Sequence, residues 1–269
     1  MRTRRNAHGT DHRDRGTPVK WLIDPLRTLP FYSSFVGFTG ACGSVAGASA
    51  LLGDRKGRVW WPASQLWGAA LTRSAGVTDF IVEGLDRFDD GQPYLLMCNH
   101  ESHLDPPSII RASRRPVVFL TKEELRRIPV FGWSLSQMGH IFIDRKHTDR
   151  ARDSIETAAA RVREGRCVLV FPEGTRSQGE DMLPFKKGGF VLAVKSGVPI
   201  VPLGIAGTRA IFPSQSRLIR GHGPVALVAG DPIPTEGYTL ETKEALMDAV
   251  RDAIGTLRER ARALVAERS

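Results

Sequence analysis

A chain of 269 residues has room for one large domain, or one domain with a small appendage; 41% hydrophobic and 25% charged residues are ordinary globular proportions that supply a sizeable core. The net charge of +9 and pI near 9.9 call for an anionic partner: nucleic acid, an anionic membrane or a phosphorylated substrate. Three widely separated cysteines (Cys42, Cys98, Cys167) without a CxxC pair argue against a disulfide framework or a cysteine zinc site, and fit a reducing compartment.

Residues 1–20 hold Arg2, Arg4, Arg5, Arg13, Arg15 and Lys20 with almost no apolar content, which predicts a disordered basic arm. The arm lacks an apolar h-region and a cleavage site, so it does not read as a secretory signal. From Thr28 to Gly53 no residue is charged, and Gly37, Gly40, Gly43 and Gly47 form a small-residue stripe that lets helices approach closely. A polar turn at 54–58 leads into a second uncharged run, 59–72, whose Trp60, Trp61 and Trp67 suit a lipid headgroup zone. A single spanning helix would put basic residues on both sides of a bilayer. A helical hairpin dipping into one leaflet keeps both basic flanks on the cytoplasmic face, and is preferred here to a soluble packing helix.

Beyond residue 77 the texture is α/β. Short apolar runs at 80–82, 94–98, 117–120, 141–143, 168–171, 201–205 and 225–228 predict strands buried on both faces. Helical periodicity marks 149–164, stopped by Gly165, and 240–267, where Leu246, Val250, Ile254, Leu257, Ala261 and Leu264 share a stripe. The expected architecture is α/β: a single domain over 77–269 with a mostly parallel or mixed sheet flanked by helices, preceded by the basic arm (1–20) and a membrane-associated helical hairpin (21–76).

The densest polar cluster, Asn99-His100-Glu101-Ser102-His103-Leu104-Asp105, follows a strand and precedes Pro106-Pro107, which suit a helix's first turn. His100 and Asp105 are about 140° apart on an ideal helix, so they meet only if the carboxylate folds back onto the imidazole in a loop. A His so paired is a general base for an alcohol. Three other readings stay open: Ser102 or Cys98 as a covalent nucleophile outside any Gly-x-Ser-x-Gly elbow, a metal held by His100, Glu101, His103 and Asp105, and a capped loop without chemistry. A second cluster, 171–177 (Phe-Pro-Glu-Gly-Thr-Arg-Ser), again follows a strand and offers Arg176 for a bidentate phosphate contact. Lys122 and Arg145 each follow or close a strand, where a cation can hold a phosphate. Pro199 and Pro202 shape the start of a buried strand.

In this order the clusters resemble the motifs of the glycerolipid acyltransferase family that includes 1-acyl-glycerol-3-phosphate acyltransferases. Asn99, His100 and Asp105 match its Asn-His-x4-Asp motif, Lys122 to Gly132 and on to Arg145 resemble its second motif, residues 171–177 match its third without a change, and 198–202 resemble its fourth. The resemblance covers roughly residues 80–230. It implies a His100–Asp105 pair that activates an acceptor hydroxyl for direct attack on an acyl thioester, with no acyl-enzyme, metal or cofactor. It also implies that Glu173, Gly174, Thr175 and Arg176 bind the acceptor's glycerol phosphate, supported by Lys122 and Arg145. His103 is not required by the motif and is assigned a structural role. The implied partners are the bilayer, a lysophospholipid acceptor and acyl-CoA or acyl-carrier protein as co-substrate, at the cytoplasmic face of the cell membrane; nothing motif-like supports nucleic acid.

Overall fold

The computed structural model describes residues 20–54, 56–88, 90–144 and 148–269. The basic arm through residue 19, and Arg145, lie outside them. Two helices open the described chain: α1 (Lys20–Leu51) and α2 (Trp60–Ser74). Between them Asp54 acts as the cap of the second. Its carboxylate accepts the backbone N–H groups of Arg58 (2.8 Å), Val59 (2.7 Å) and Trp60 (3.2 Å), donors that a helix start otherwise leaves unpaired.

The seven predicted strands all form: β1 (Val77–Glu83), β2 (Leu95–Cys98), β3 (Val117–Lys122), β4 (Ile141–Ile143), β5 (Cys167–Val170), β6 (Ile200–Ala206) and β7 (Gly223–Ala229). They make one sheet in the order β1-β7-β6-β2-β5-β3-β4, parallel throughout except for the antiparallel β6–β7 pair. Helices α3 (Asp105–Ala112), α4 (Phe131–Gln137), α5 (Thr148–Arg163), α6 (Lys187–Ser196), a single turn α7 (Thr208–Ile211) and α8 (Lys243–Ala266) complete the fold. Along β2, Leu96 and Cys98 enter the core shared with α2 and α3, whereas Leu95 and Met97 enter the core shared with α5, α6 and α8. That two-sided burial is why the strands read as continuous apolar runs rather than as alternation.

The strand order positions the site. From β2 the chain crosses by α3 on one face to reach β3, while from β5 it crosses by α6 on the opposite face to reach β6. The neighbouring carboxyl ends of β2 and β5 therefore diverge, which leaves a crevice at the point where the winding reverses.

The N-terminal helices differ from expectation in one respect. Trp60 and Trp61 are buried at 1% and 4% exposure, in the core beside α3, so they are not headgroup anchors. Their indole N–H groups donate inside the protein, to the Asp54 carbonyl (2.9 Å) and the Ser113 carbonyl (3.3 Å). A tryptophan whose polar end is already bonded in the core has nothing left for the lipid interface. The first helix behaves otherwise. Pro25–Leu51 is long and apolar enough to cross a membrane, with mean hydropathy 1.3, and Leu26, Leu29, Val36, Val45 and Leu51 lie exposed along it.

The glycine stripe of α1 divides in two. A Cβ on Gly43 would meet Ser134 Oγ at 2.9 Å and one on Gly47 would meet the Trp133 ring at 2.4 Å, whereas Gly37 and Gly40 have nothing within 4 Å. The absence of side chains at Gly43 and Gly47 is thus what lets α1 lie against α4. Gly47→Leu is expected to destabilise the protein by about 1–3 kcal/mol through overpacking. Gly40→Ala should be neutral or stabilising by about 0.5–1 kcal/mol through helix propensity. Thermal melts in detergent separate the two, and equal melting temperatures for both variants would contradict this packing.

Candidate active site

The turn after β2 is fastened at its first residue. The Asn99 side-chain amide donates to the Ile205 carbonyl (3.0 Å) while its oxygen accepts the Ile205 N–H (2.8 Å), locking the turn to the end of β6. Asp105 begins α3, with Pro106 and Pro107 next. Its carboxylate has no exposed surface and collects four donors. Oδ2 accepts from His100 Nδ1 (2.7 Å) and from the backbone N–H groups of Glu101 (2.7 Å) and Ser102 (2.8 Å); Oδ1 accepts from the Thr208 hydroxyl (2.6 Å). The fold-back that a loop permits and a helix forbids is therefore the geometry adopted. Because a carboxylate oxygen only accepts, Nδ1 carries the proton and Nε2 carries the lone pair. The imidazole lies flat on Phe171, ring centroids 3.9 Å apart and planes 15° apart, so its orientation is fixed on a face as well as at one edge. Nε2 has no protein partner among the described residues.

The second loop is clamped to the first. Glu173 is turned inward at 1% exposure, and its two oxygens accept the His100 N–H (2.8 Å) and the Leu183 N–H (2.8 Å). The Ser177 N–H in turn donates to the His100 carbonyl (2.8 Å). Burial pushes the Glu173 carboxyl up, against which the two N–H bonds pull it down. Gly174 takes a left-handed φ of 73°, the conformation that a side chain resists at the turn. Thr175 is exposed. Arg176 is half-buried, and its Nη1 is buried without a hydrogen-bond partner. Burial lowers the guanidinium's pKa while Asp105 raises it, so this cation lies within the field of the His100–Asp105 pair. His103 packs on Phe212 at 5.0 Å, and burial, then Arg176, pushes it down to about 4, which leaves it neutral at ordinary pH.

The other expected residues fall outside this knot. Lys122, the last residue of β3, is exposed and stands two strands from β2, beyond β5. Arg145 is outside the described residues. The alternative nucleophiles are spoken for: Ser102 is fully buried, donates to the Phe212 carbonyl (2.6 Å) and accepts the Leu104 N–H (3.1 Å), while burial raises the Cys98 thiol well above its usual value. A metal at the first cluster is opposed by the partners its side chains already hold: Asp105 is filled by four donors, and Glu101 faces Arg209 (3.5 Å) and Arg258 (3.6 Å).

Four participants were not anticipated from sequence: Thr208, Arg209, Arg258 and Glu101 in its paired role. Three of them carried a signal. Gly207-Thr208-Arg209 repeats, after the next strand, the Gly-Thr-Arg of 174–176; and Arg258 falls four residues after Ile254 on the otherwise apolar stripe of α8.

A cavity of about 540 Å³ opens elsewhere, beside β4, α4 and α5, and is lined by Glu123, Arg126, His140, Asp144 and Arg161 among others. His140 is buried, accepts the Phe119 N–H on Nδ1 (3.0 Å) and stacks on the Phe119 ring. Burial, then Arg166, pushes it down to about 3 from the usual 6.5. A His whose folded pKa is depressed contributes stability that is complete above pH 6.5 and is lost as pH falls towards 3. Urea unfolding between pH 7 and pH 4 should therefore show a smaller loss of stability in His140→Gln than in the wild type; identical slopes would refute the assignment.

Residues 79–206 match the family model described as Acyltransferase. Over 178 residues the chain is 36% identical to the 1-acyl-sn-glycerol-3-phosphate acyltransferase alpha of Homo sapiens. Over 171 residues it is 34% identical to the chloroplastic 1-acyl-sn-glycerol-3-phosphate acyltransferase BAT2 of Brassica napus. These matches take in 65% and 63% of this chain and 62% and 49% of those proteins, less than two thirds of either. The crystal structure of the 1-acyl-sn-glycerophosphate acyltransferase PlsC from Thermotoga maritima superposes with a TM-score of 0.78 at 26% identity, over 91% of this chain and 97% of that one.

Proposed function

From the premise that residues 79–206 belong to the acyltransferase family, we propose that the chain moves a fatty acyl group from a thioester donor, acyl-CoA or acyl-carrier protein, to the free hydroxyl of 1-acyl-glycerol-3-phosphate, giving phosphatidic acid. The observation that carries the reading is the imidazole of His100. It is held at Nδ1 by a buried carboxylate, has no partner at Nε2 among the described residues, and is clamped through Glu173 to the turn that carries Arg176, whose Nη1 is buried and unpaired.

In this mechanism Nε2 takes the proton of the acceptor hydroxyl as the oxygen attacks the thioester carbonyl. Asp105 stabilises the imidazolium that forms, being fixed by three other donors and so unable to turn away. Loop N–H groups stabilise the oxyanion of the tetrahedral intermediate. When that intermediate collapses, the carbon–sulfur bond breaks, the thiolate departs and takes the proton from His100, and the new ester remains on the acceptor. No covalent enzyme intermediate, metal or cofactor enters. Arg176 binds the acceptor phosphate, for which its unpaired N–H is suited. Gly174 and Thr175 contribute backbone and hydroxyl groups at the same turn, and Glu173 acts by holding that turn against His100. Lys122 and Arg145 supply supporting positive charge. The exposed apolar face of α1 holds the site at the cytoplasmic surface of the membrane, where a lysolipid with one buried tail resides.

The test is transfer of labelled acyl from acyl-CoA to 1-acyl-glycerol-3-phosphate by the purified chain in detergent. His100→Ala is expected to lower kcat by about 10³-fold or more while the fold persists. Arg176→Ala should raise the acceptor KM by about 10- to 100-fold with kcat little changed, the effect of losing a charge-assisted contact. Full turnover in His100→Ala would overturn the base assignment. Product from an uncharged lysolipid but not from 1-acyl-glycerol-3-phosphate would overturn the acceptor.

A further inference from the structure

Beneath the site lies a second charged group of the same polypeptide that the transfer chemistry does not use. Glu101, next to the base, is 5% exposed. Its Oε2 lies 3.5 Å from Arg209 Nη2, on α7, and 3.6 Å from Arg258 Nη2, on α8. Its Oε1 lies 3.4 Å from the Thr208 hydroxyl, the group that also donates to Asp105. The buried carboxylates Glu101 and Asp105 thus face the same hydroxyl, and the two guanidinium groups supply the compensating charge.

The same arginines reach past Glu101 to the chain that follows the 171–177 turn. Arg209 donates to the Ser177 hydroxyl (2.6 Å) and to the Gly179 carbonyl. Arg258 donates to the Glu180 carbonyl, which Arg262 also reaches (3.1 Å). Further along, Arg251 holds the carbonyls of Met182 (3.0 Å) and Leu183 (2.8 Å). Leu183 donates its N–H to Glu173, whose other oxygen holds the His100 N–H. A closed circuit results, running from Glu101 through two arginines to residues 177–183, on to Glu173 and back to His100.

Arg258 reaches this position because β6 presents Gly204 to it. A Cβ there would meet the Arg258 backbone nitrogen and the Leu257 carbonyl carbon, each at 2.3 Å. The circuit is also a poor device for stability alone. Arg209 Nε and Arg258 Nε are buried without partners, and buried ion pairs are commonly matched or surpassed in stability by apolar side chains of similar volume.

We infer that Glu101, Arg209 and Arg258 are positioning residues, which fix residues 177–183 and through them hold the Arg176 turn in register with His100. The inference rests on the transfer reading above. The electrostatics agree with it. Burial first, and Asp105 second, raise the Glu101 carboxyl to about 7, while Arg209, Arg258 and Arg262 pull it down. The arginines are thus what favours charge on this carboxylate at all, and loss of one of them loosens the other's hold on the loop.

The experiment uses the full chain in detergent and the double variant Glu101→Gln/Arg258→Met, which removes one cation together with the carboxylate, so that the net charge of the group is unchanged. Hydrogen exchange is read first, since it requires no turnover. Amides of residues 177–183, the Leu183 N–H above all, should exchange about tenfold faster or more in the variant, with β2, β5 and β6 unchanged. Unchanged protection of the loop in a folded variant would overturn the inference. Transfer kinetics are read second: the acceptor KM should rise about tenfold or more while the donor KM stays within about twofold, and Arg258→Lys, which cannot span Glu101 and Glu180 with a fork, should recover only part of the loss. Equal loss for donor and acceptor would mark a merely structural role and overturn the positioning claim. A wild type that transfers no acyl group would sink the transfer reading, while the exchange data would still decide whether the circuit holds the loop.

Discussion

The Asp105 carboxylate is the charge around which the site is arranged. Removing such an ion from water costs several kcal/mol even in a relaxed protein, and the cost is met only if its lone pairs are filled. Four donors fill them here, from two parts of the chain: the β2–α3 turn, with the imidazole it carries, and the first residue of α7. Each charge-assisted bond contributes about 1.5–3 kcal/mol net, so the set compensates for burial only when complete. Asp105 therefore acts as a fastener between loops before it acts on a proton. The tautomer and tilt of His100 are consequences of that fastening.

A similar economy governs the surroundings. Polar groups that would be costly alone are satisfied by one another: Asn99 by the backbone of β6, Glu173 by two amides from different loops, Glu101 by guanidinium groups from two helices. Such bonds require the elements to stand very close. At two places a hydrogen in place of a side chain makes that possible, Gly204 beneath α8 and Gly47 beneath Trp133. The chemistry sits at the sheet's winding reversal because only there do two successive turns diverge and leave room above them.

The net positive charge is distributed between two tasks. Arg209, Arg251 and Arg258 reach into the protein and bind carbonyls or carboxylates of the chain itself, so they are committed within it rather than offered to an anionic partner. Arg176, in the turn clamped to His100, keeps its Nη1 buried with no hydrogen-bond partner, as Arg209 and Arg258 do at Nε. The apolar surface is divided too. The second helix hides Trp60 and Trp61 within the domain, whereas the first leaves a row of leucines and valines outside it.

Local pattern determined much of this protein. Seven strands were legible because burial on both faces demands unbroken apolar runs, and helices 148–163 and 243–266 because their apolar stripes repeat at helical spacing. The His100–Asp105 contact was legible because the two residues are close in sequence and the prolines after Asp105 dictate where the helix starts. What only tertiary structure decided involves partners more than a hundred residues apart: Thr208 on Asp105, Arg209 and Arg258 on Glu101. It also decided which of four equivalent glycines touch a neighbour and which tryptophans are buried, since period and composition specify that a face will be covered but not by what. Side-chain chemistry and spacing fix local geometry; the choice of distant partner is made when the sheet assembles and places separate loops at one end of it.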